Sequence, residues 1–415
     1  MYIDPANGHT LADAAQNPAA ETATDLRTEL VRRARVLGPM LERNAAQTES
    51  ERRVVQENID AFAEAGLFRV MQPKRYGGFE LGVSVHLDVV STVAEFCPSS
   101  AWVLNLIGVC AWFASLLPAR AQDDIFGANP QARVAGVFTP SSQTHRKAVE
   151  GGLVVSGKWF YASGCLHADW GLIGLSEQDE SGKVIDQYLA YVPMSDLTIE
   201  DTWFTVGMRG SGSNCLVAND VFIPNHRMYS MPRALQGDYA TEFKDEALYR
   251  SAFVPLAALI LAGPQLGMGR AALRYVSDLA CKRGIAYTVY GKQSESVAFQ
   301  LQIAEAAMKI ESAHLHVYRA AADIERYAAL GEHPDFKTRA RMRCDNSHAI
   351  TLITEALNQL ITAHGSAAFA ESSPLQRLWR DSNAAARHAV ALPHISLEVY
   401  GKALLGIDSM VTPLV

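Results

Sequence analysis

The sequence predicts an α+β protein in which helices occupy the two ends of the chain and strands the middle. Three observations carry this expectation. Apolar residues recur three or four apart before about residue 130. Short β-branched and aromatic runs, separated by turn residues, fill the next hundred positions. Longer helical periods then run nearly to the end. With 415 residues, 49% hydrophobic and 20% charged, the chain is long and apolar enough for two or three regions around a sizeable core. The regions expected are a flexible leader over 1–24, an N-terminal helical domain over 25–130, a central β domain over 131–230 and a C-terminal helical bundle over 231–415.

In the first region LRTELVRRARVLGPMLERNAAQTES and ERRVVQENIDAFAEAGLF keep the helical period until Gly66 stops it. A loop with Pro73 and the pair Gly77-Gly78 follows. LDVVSTVAEF and SSAWVLNLIGVCAWFASL then read as two more helices, the second expected to start at Pro98 with serine capping its backbone donors. In the middle region ARVAGVF, LVVSGKWFYAS, WGLIGLS, QYLAYVP and NCLVANDVFIP read as strands, separated by turns such as EGG, DESGK and MRGSGSN. In the last region QLQIAEAAMKIESAHLHVYRAAADIERYAAL and HAITLITEALNQLITAHG are long helices, with Gly331 and Pro334 ending the first.

Several function classes fall away on composition. The net charge of −7 lacks the basic footprint of nucleic-acid binding. The six cysteines are far apart and mostly set among apolar or small residues, so free thiols are expected and no metal site. The uncharged stretch Cys97–Ala119 is long enough to span a bilayer. Its serines, Asn105 and prolines, without basic flanks, make it a buried core helix instead. The acidic, Ala-rich start reads as neither a secretory signal nor a transit peptide, so the cytoplasm is the expected location. No GxGxxG, GxxxxGK[ST], HExxH or GxSxG pattern is present.

What remains are small polar residues and aromatics. GMRGSGSN (207–214) reads either as a turn or as backbone donors for a phosphate or ring. In WFYASGCLHADW (159–170), Ala162-Ser163-Gly164 either closes a strand or lets a flat ring approach, with the Ser163 hydroxyl in reach. His388 is either structural or a base.

The motifs RYGGFELG, WFYASG, MRGSGSNCLVANDVFIP and SPLQRLWRDSNAAARH, in this order, resemble the acyl-CoA dehydrogenase superfamily from about Asp25 to the end. The resemblance implies an N-terminal α domain, a central β-barrel-like domain and a C-terminal four-helix bundle, assembled as a homotetramer with flavin between subunits. Many dehydrogenases of the superfamily carry a glutamate base about eight residues after an Arg-Asp pair. Here Arg380-Asp381 is followed by Arg387-His388-Ala389-Val390, with no carboxylate. SSAWV with GVCAW, ASGCLHADW and the spacing from Arg380-Asp381 to His388 look more like the flavin-dependent monooxygenase branch. That branch includes p-hydroxyphenylacetate and secosteroid hydroxylases, indole oxygenases, dibenzothiophene monooxygenase and amino-sugar nitrososynthases.

This resemblance implies an oxygenase component that takes reduced FMN or FAD from a separate NAD(P)H-dependent flavin reductase. It would use O2 through a C4a-(hydro)peroxyflavin to hydroxylate a small phenolic or indolic substrate. N-hydroxylation of an amine and FAD-dependent acyl-CoA dehydrogenation are the alternatives, and a non-catalytic scaffold is a third. His388 would be the base and Ser163 would face the flavin N5 edge. Phe138, Trp159, Ala162, Gly164, Arg209, Arg283, His364 and Gly365 would hold the cofactor, Arg283 by reaching a neighbouring subunit's flavin phosphate. Cys110, Trp112, His388 and His394 would meet substrate, and Trp170 would help wall the pocket. Several aromatic hydroxylases have histidine at the position of Cys110. No nucleic acid, membrane or metal is expected.

Overall fold

The computed structural model describes residues 18–415 apart from 140, 142, 143, 180, 182 and 183. The expected leader therefore falls largely outside the described residues. Its end does not: residues 18–24 already belong to helix α1, Pro18–Val36.

Five more helices complete the N-terminal part: α2 (Gly38–Ser50), α3 (Gln56–Glu64), α4 (Val83–Ala94), α5 (Pro98–Ser115) and α6 (Ala119–Phe126). In α5 every residue except Leu106 is buried, as expected of a helix apolar on all sides. The uncharged stretch is thus core, and Pro118 separates α5 from α6. No serine caps α5. Its N-cap is Cys97, Pro98 occupies the first turn, and the Ser100 hydroxyl is used by Asn58 Nδ2 and Cys97 Sγ, each at 3.1 Å.

Eight strands follow: β1 (Val134–Val137), β2 (His145–Val149), β3 (Gly152–Ala162), β4 (Trp170–Gln178), β5 (Val184–Pro193), β6 (Thr198–Glu200), β7 (Asn214–Pro224) and β8 (Met228–Ser230). They form two four-stranded sheets of order β1-β4-β5-β8 and β2-β3-β7-β6. Among the described residues only β1 and β4 pair in parallel; the other ladders are antiparallel. The enclosure expected as barrel-like is made by these two sheets, whose inner residues, among them Val155, Trp159, Ile173, Val192 and Leu216, form one core.

The C-terminal part comprises α7 (Met231–Ala234), α8 (Phe253–Leu259), α9 (Ala262–Ala280), α10 (Val297–Leu330), α11 (Phe336–His364), α12 (Pro374–Ala385) and α13 (Pro393–Leu405). Ser296 and Asp335 cap α10 and α11 by accepting the Phe299 and Thr338 amides, and Gly331 ends α10 in the left-handed region. The stretch Phe253–Ala280 is also long and apolar enough to cross a membrane, but 83% of its apolar window is buried inside the protein. Helices from both ends share one core, and α4 crosses α9 closely: a Cβ on Gly267 would stand 2.1 Å from the Ser91 carbonyl oxygen. That crossing joins the first and last parts of the chain, with the β domain against α5.

Candidate active site

Three segments converge at the end of β3. Tyr161 adopts φ +73°, which turns the strand, and Ser163 and Gly164 form the corner. Gly164 has φ +78°, and a Cβ there would lie 3.2 Å from Val103 and Ile107 of α5; both facts require glycine. Its amide donates to the Ser211 carbonyl at 3.1 Å, binding the corner to the 207–214 loop. That loop is pressed on α12, since a Cβ on Gly207 would stand 2.3 Å from the Arg380 carbonyl oxygen. The buried Asp381 accepts the Met208 amide at 2.6 Å, and burial, the largest cause, raises its carboxyl to about 6.

Inside this corner runs a chain of polar groups. The Trp102 indole donates to Ser163 Oγ at 3.1 Å. Ser163 Oγ lies 2.6 Å from Ser213 Oγ, which lies 2.7 Å from Ser211 Oγ. Ser211 donates to the Met208 carbonyl at 2.8 Å, which also receives the Trp203 indole at 2.8 Å. The other side of Trp102 faces His388, with ring centroids 6.3 Å apart. His388 is solvent-exposed, and the protein around its ring desolvates it. Desolvation lowers the imidazole to about 4, so it is neutral at physiological pH. Its Nδ1 accepts the Val390 amide at 3.4 Å. This hydrogen bond assigns the single ring proton to Nε2, which makes no hydrogen bond among the described residues. At rest this arrangement offers a donor from Nε2.

Phe160, Tyr161, Phe204 and Val206 leave apolar surface uncovered on the neighbouring segments, at 40%, 72%, 69% and 78% exposure. Arg52 lies over the Phe204 ring at 4.0 Å and Tyr161 meets Trp203 edge-on, and the aromatic surface left exposed near a buried hydroxyl and a glycine corner fits a flat heterocycle.

Other residues expected at the site are placed elsewhere. Trp159 is fully buried between the sheets, its indole on the Gly174 carbonyl at 2.7 Å, because its neighbours Phe160 and Tyr161 take the outward positions. Trp112 is fully buried and donates to the Leu248 carbonyl at 2.9 Å. Cys110 is wedged under β1, where a Cβ on Gly136 would come within 2.9 Å of its sulfur, and burial pushes the thiol up to about 12. Phe138 stacks near Phe113 and Phe253, at centroid distances of 5.2 and 6.0 Å. Trp170 lies under the Arg227 guanidinium, 5.1 Å from it. Arg209 donates to the carbonyls of Glu49 and Thr205 at 3.3 and 3.1 Å, so part of its guanidinium serves the loop. His394 is exposed at the start of α13.

Arg283, His364 and Gly365 form a second group. Arg283 donates to the His364 ring, and burial followed by that guanidinium lowers the imidazole. Gly365 has φ +82° with open space where a side chain would stand. Among the described residues no side-chain contact joins this group to Ser163, and α12, whose 12 residues span roughly 18 Å, separates His364 from His388 along the chain. Trp102, Ser211 and Ser213 were not singled out from the sequence, although they lie inside the motifs SSAWV and GMRGSGSN. No group of three or more His, Cys, Asp or Glu residues suited to a metal occurs among the described residues. The two cavities described, about 390 and 210 Å³, lie elsewhere, along the C-terminal tail and near Tyr239.

Comparison with known proteins fits this geometry. Residues 29–117 match the acyl-CoA dehydrogenase N-terminal domain and residues 259–393 its C-terminal domain. The flavin-dependent monooxygenase oxygenase subunit HsaA of Rhodococcus jostii is 31% identical over 378 residues, covering 90% of this chain and 98% of that protein. The FADH(2)-dependent resorcinol hydroxylase oxygenase component of a Rhizobium species is 30% identical, covering 91% and 94%. Among solved structures, XiaF of a Streptomyces species, described in complex with FADH2 and glycerol, superposes with a TM-score of 0.90 at 36% identity, covering 95% of this chain and all of that one. A match at both ends of the chain and relatives covered over nearly their whole length agree: the chain belongs to the flavin-dependent monooxygenase branch of the acyl-CoA dehydrogenase family.

Proposed function

We propose that the protein is the oxygenase component of a two-component flavin-dependent monooxygenase that hydroxylates a small phenolic or indolic substrate. A separate NAD(P)H-dependent reductase supplies it with reduced FMN or FAD, and it works in the cytoplasm as a homotetramer. The observation that carries the reading is the pairing of the Ser163 hydroxyl with a neutral His388 across Trp102, where a dehydrogenase of the glutamate type would need a carboxylate. The aromatic substrates named for HsaA's relatives, resorcinol and p-hydroxyphenylacetate among them, support the substrate class.

Reduced flavin, when bound, supplies the electrons that activate dioxygen, so the chain's own residues have only to bind, orient and exclude water. Ala162, Ser163 and Gly164 hold the ring edge. Arg283, with His364 and Gly365 beside it, holds the phosphate end of a cofactor belonging to a second copy. His388 donates from Nε2 to the substrate oxygen and orients the ring, a role the Val390 contact favours over that of base.

The test is anaerobic titration with FMNH2 and FADH2, then oxygen in the presence of phenols, indoles and amines, scored as product formed per reduced flavin consumed. Coupled hydroxylation of an aromatic is expected. Uncoupled oxygen use with every candidate, or reduction of bound FAD by an acyl-CoA, overturns the reading. His388→Ala should lower coupling at least tenfold while changing flavin affinity less than twofold.

A further inference from the structure

We propose that Trp102, Ser213 and Ser211 are positioning residues that make Ser163 a fixed hydrogen-bond acceptor, so that the site selects flavin in its reduced, N5-protonated form. The inference deepens the proposed function and rests on its reading of Ser163 as the group that faces the flavin N5 edge.

Proton counting gives the direction. A carbonyl oxygen can only accept, so the one proton of Ser211 goes to the Met208 carbonyl, 2.8 Å away. Ser211 therefore cannot also donate across its 2.7 Å contact with Ser213, and Ser213 must donate to it. Ser213 has then spent its proton, and the 2.6 Å contact with Ser163 requires Ser163 to be the donor. At the other end the Trp102 indole, which can only donate, takes one lone pair of Ser163 Oγ. Ser163 is left with its proton committed inward and one lone pair free. Reversing the chain would leave the 2.8 Å contact of Ser211 Oγ with the Met208 carbonyl, which also receives the Trp203 indole and the Ser211 amide, without a proton. All four side chains are at most 6% exposed, so water does not compete for these bonds.

The free lone pair discriminates between redox states. Reduced flavin carries a hydrogen on N5 and donates to an acceptor. Oxidised flavin presents a lone pair there, and two lone pairs face each other without a proton. The dipoles of the chain thus favour the form delivered by a reductase and disfavour the form that must leave.

The experiment measures dissociation constants for oxidised and reduced flavin, anaerobically, on the full-length protein. Wild type should bind the reduced form more than tenfold tighter. Ser213→Ala frees the Ser163 proton to turn outward, and Ser211→Ala does so indirectly, by freeing Ser213. Each should shrink the preference about tenfold, equivalent to about a 30 mV fall in the two-electron potential of the bound flavin. Ser213→Thr, which keeps the hydroxyl, should keep the preference. A wild type without preference, or variants that weaken both forms equally or leave the ratio unchanged, overturns the proposal while leaving the oxygenase reading standing. A protein that binds neither form overturns that reading instead.

Discussion

Asp381 is the acid at this site whose ionisation should be visible in stability. Its carboxyl, raised to about 6 from an ordinary 3.8, holds its proton more tightly folded than unfolded. The contribution is fully present below about pH 4 and is lost as pH rises through 6. Urea unfolding between pH 4 and 6.5 should show that decline, and Asp381→Asn, which keeps an acceptor for the Met208 amide, should flatten it. An unchanged slope in the variant would assign the effect to another group. His388 moves the opposite way. Because desolvation lowers its imidazole to about 4, hydroxylation should show no acid limb near 6.5 from this residue. A limb there that His388→Asn abolishes would contradict the neutral donor. Trp102→Phe removes one buried hydrogen bond and should cost about 1 kcal/mol by urea melting, with coupling impaired as well because the ring also meets His388.

At the scale of elements, the order of helices and strands was legible because each repeats its own period over many residues. The site was legible only in part. WFYASG marked the corner correctly, but one strand could not reveal which of three consecutive aromatics pointed inward. The irregularity between Trp159 and Ala162 decides it, sending Trp159 into the core and Tyr161 outward. Trp102 and Ser213 escaped notice because their shared partner Ser163 lies 61 and 50 residues away, beyond any local pattern, and Ser211 joins the chain only through Ser213. Tight glycine contacts were equally invisible. Gly267→Ala should cost about 1–3 kcal/mol by forcing α4 off α9. Gly401, inside α13 with open space around its missing side chain, offers the contrast. Gly401→Ala should stabilise the protein by about 0.5–1 kcal/mol, and a loss measured in its thermal unfolding would show that this face is covered in the assembly.

For the whole molecule, the grouping of Arg283 with His364, with no contact to Ser163 among the described residues, makes a prediction about assembly. If one copy supplies the ring site and another the phosphate clamp, Arg283→Ala and Ser163→Ala proteins each lack half of every site. Unfolded together and refolded, they should form hybrids in which some sites carry both wild-type halves. Tight flavin binding and coupled turnover should then return to a fraction of sites, whereas mixing without refolding should restore none. No recovery in the hybrids would place both groups around a single cofactor within one subunit.

The central helix α5 has a consequence for how the molecule breathes. Only Leu106 of its residues is partly exposed, and the helix meets the β3 corner, β1, α4 and α9 together. There is no partial opening that would wet its backbone without first separating the layers around it. Its amide hydrogens should therefore be among the slowest to exchange with deuterated water, at a rate that rises with urea in step with global unfolding. Those of α13, which carries few buried residues, should exchange through local fraying and respond little to the same urea.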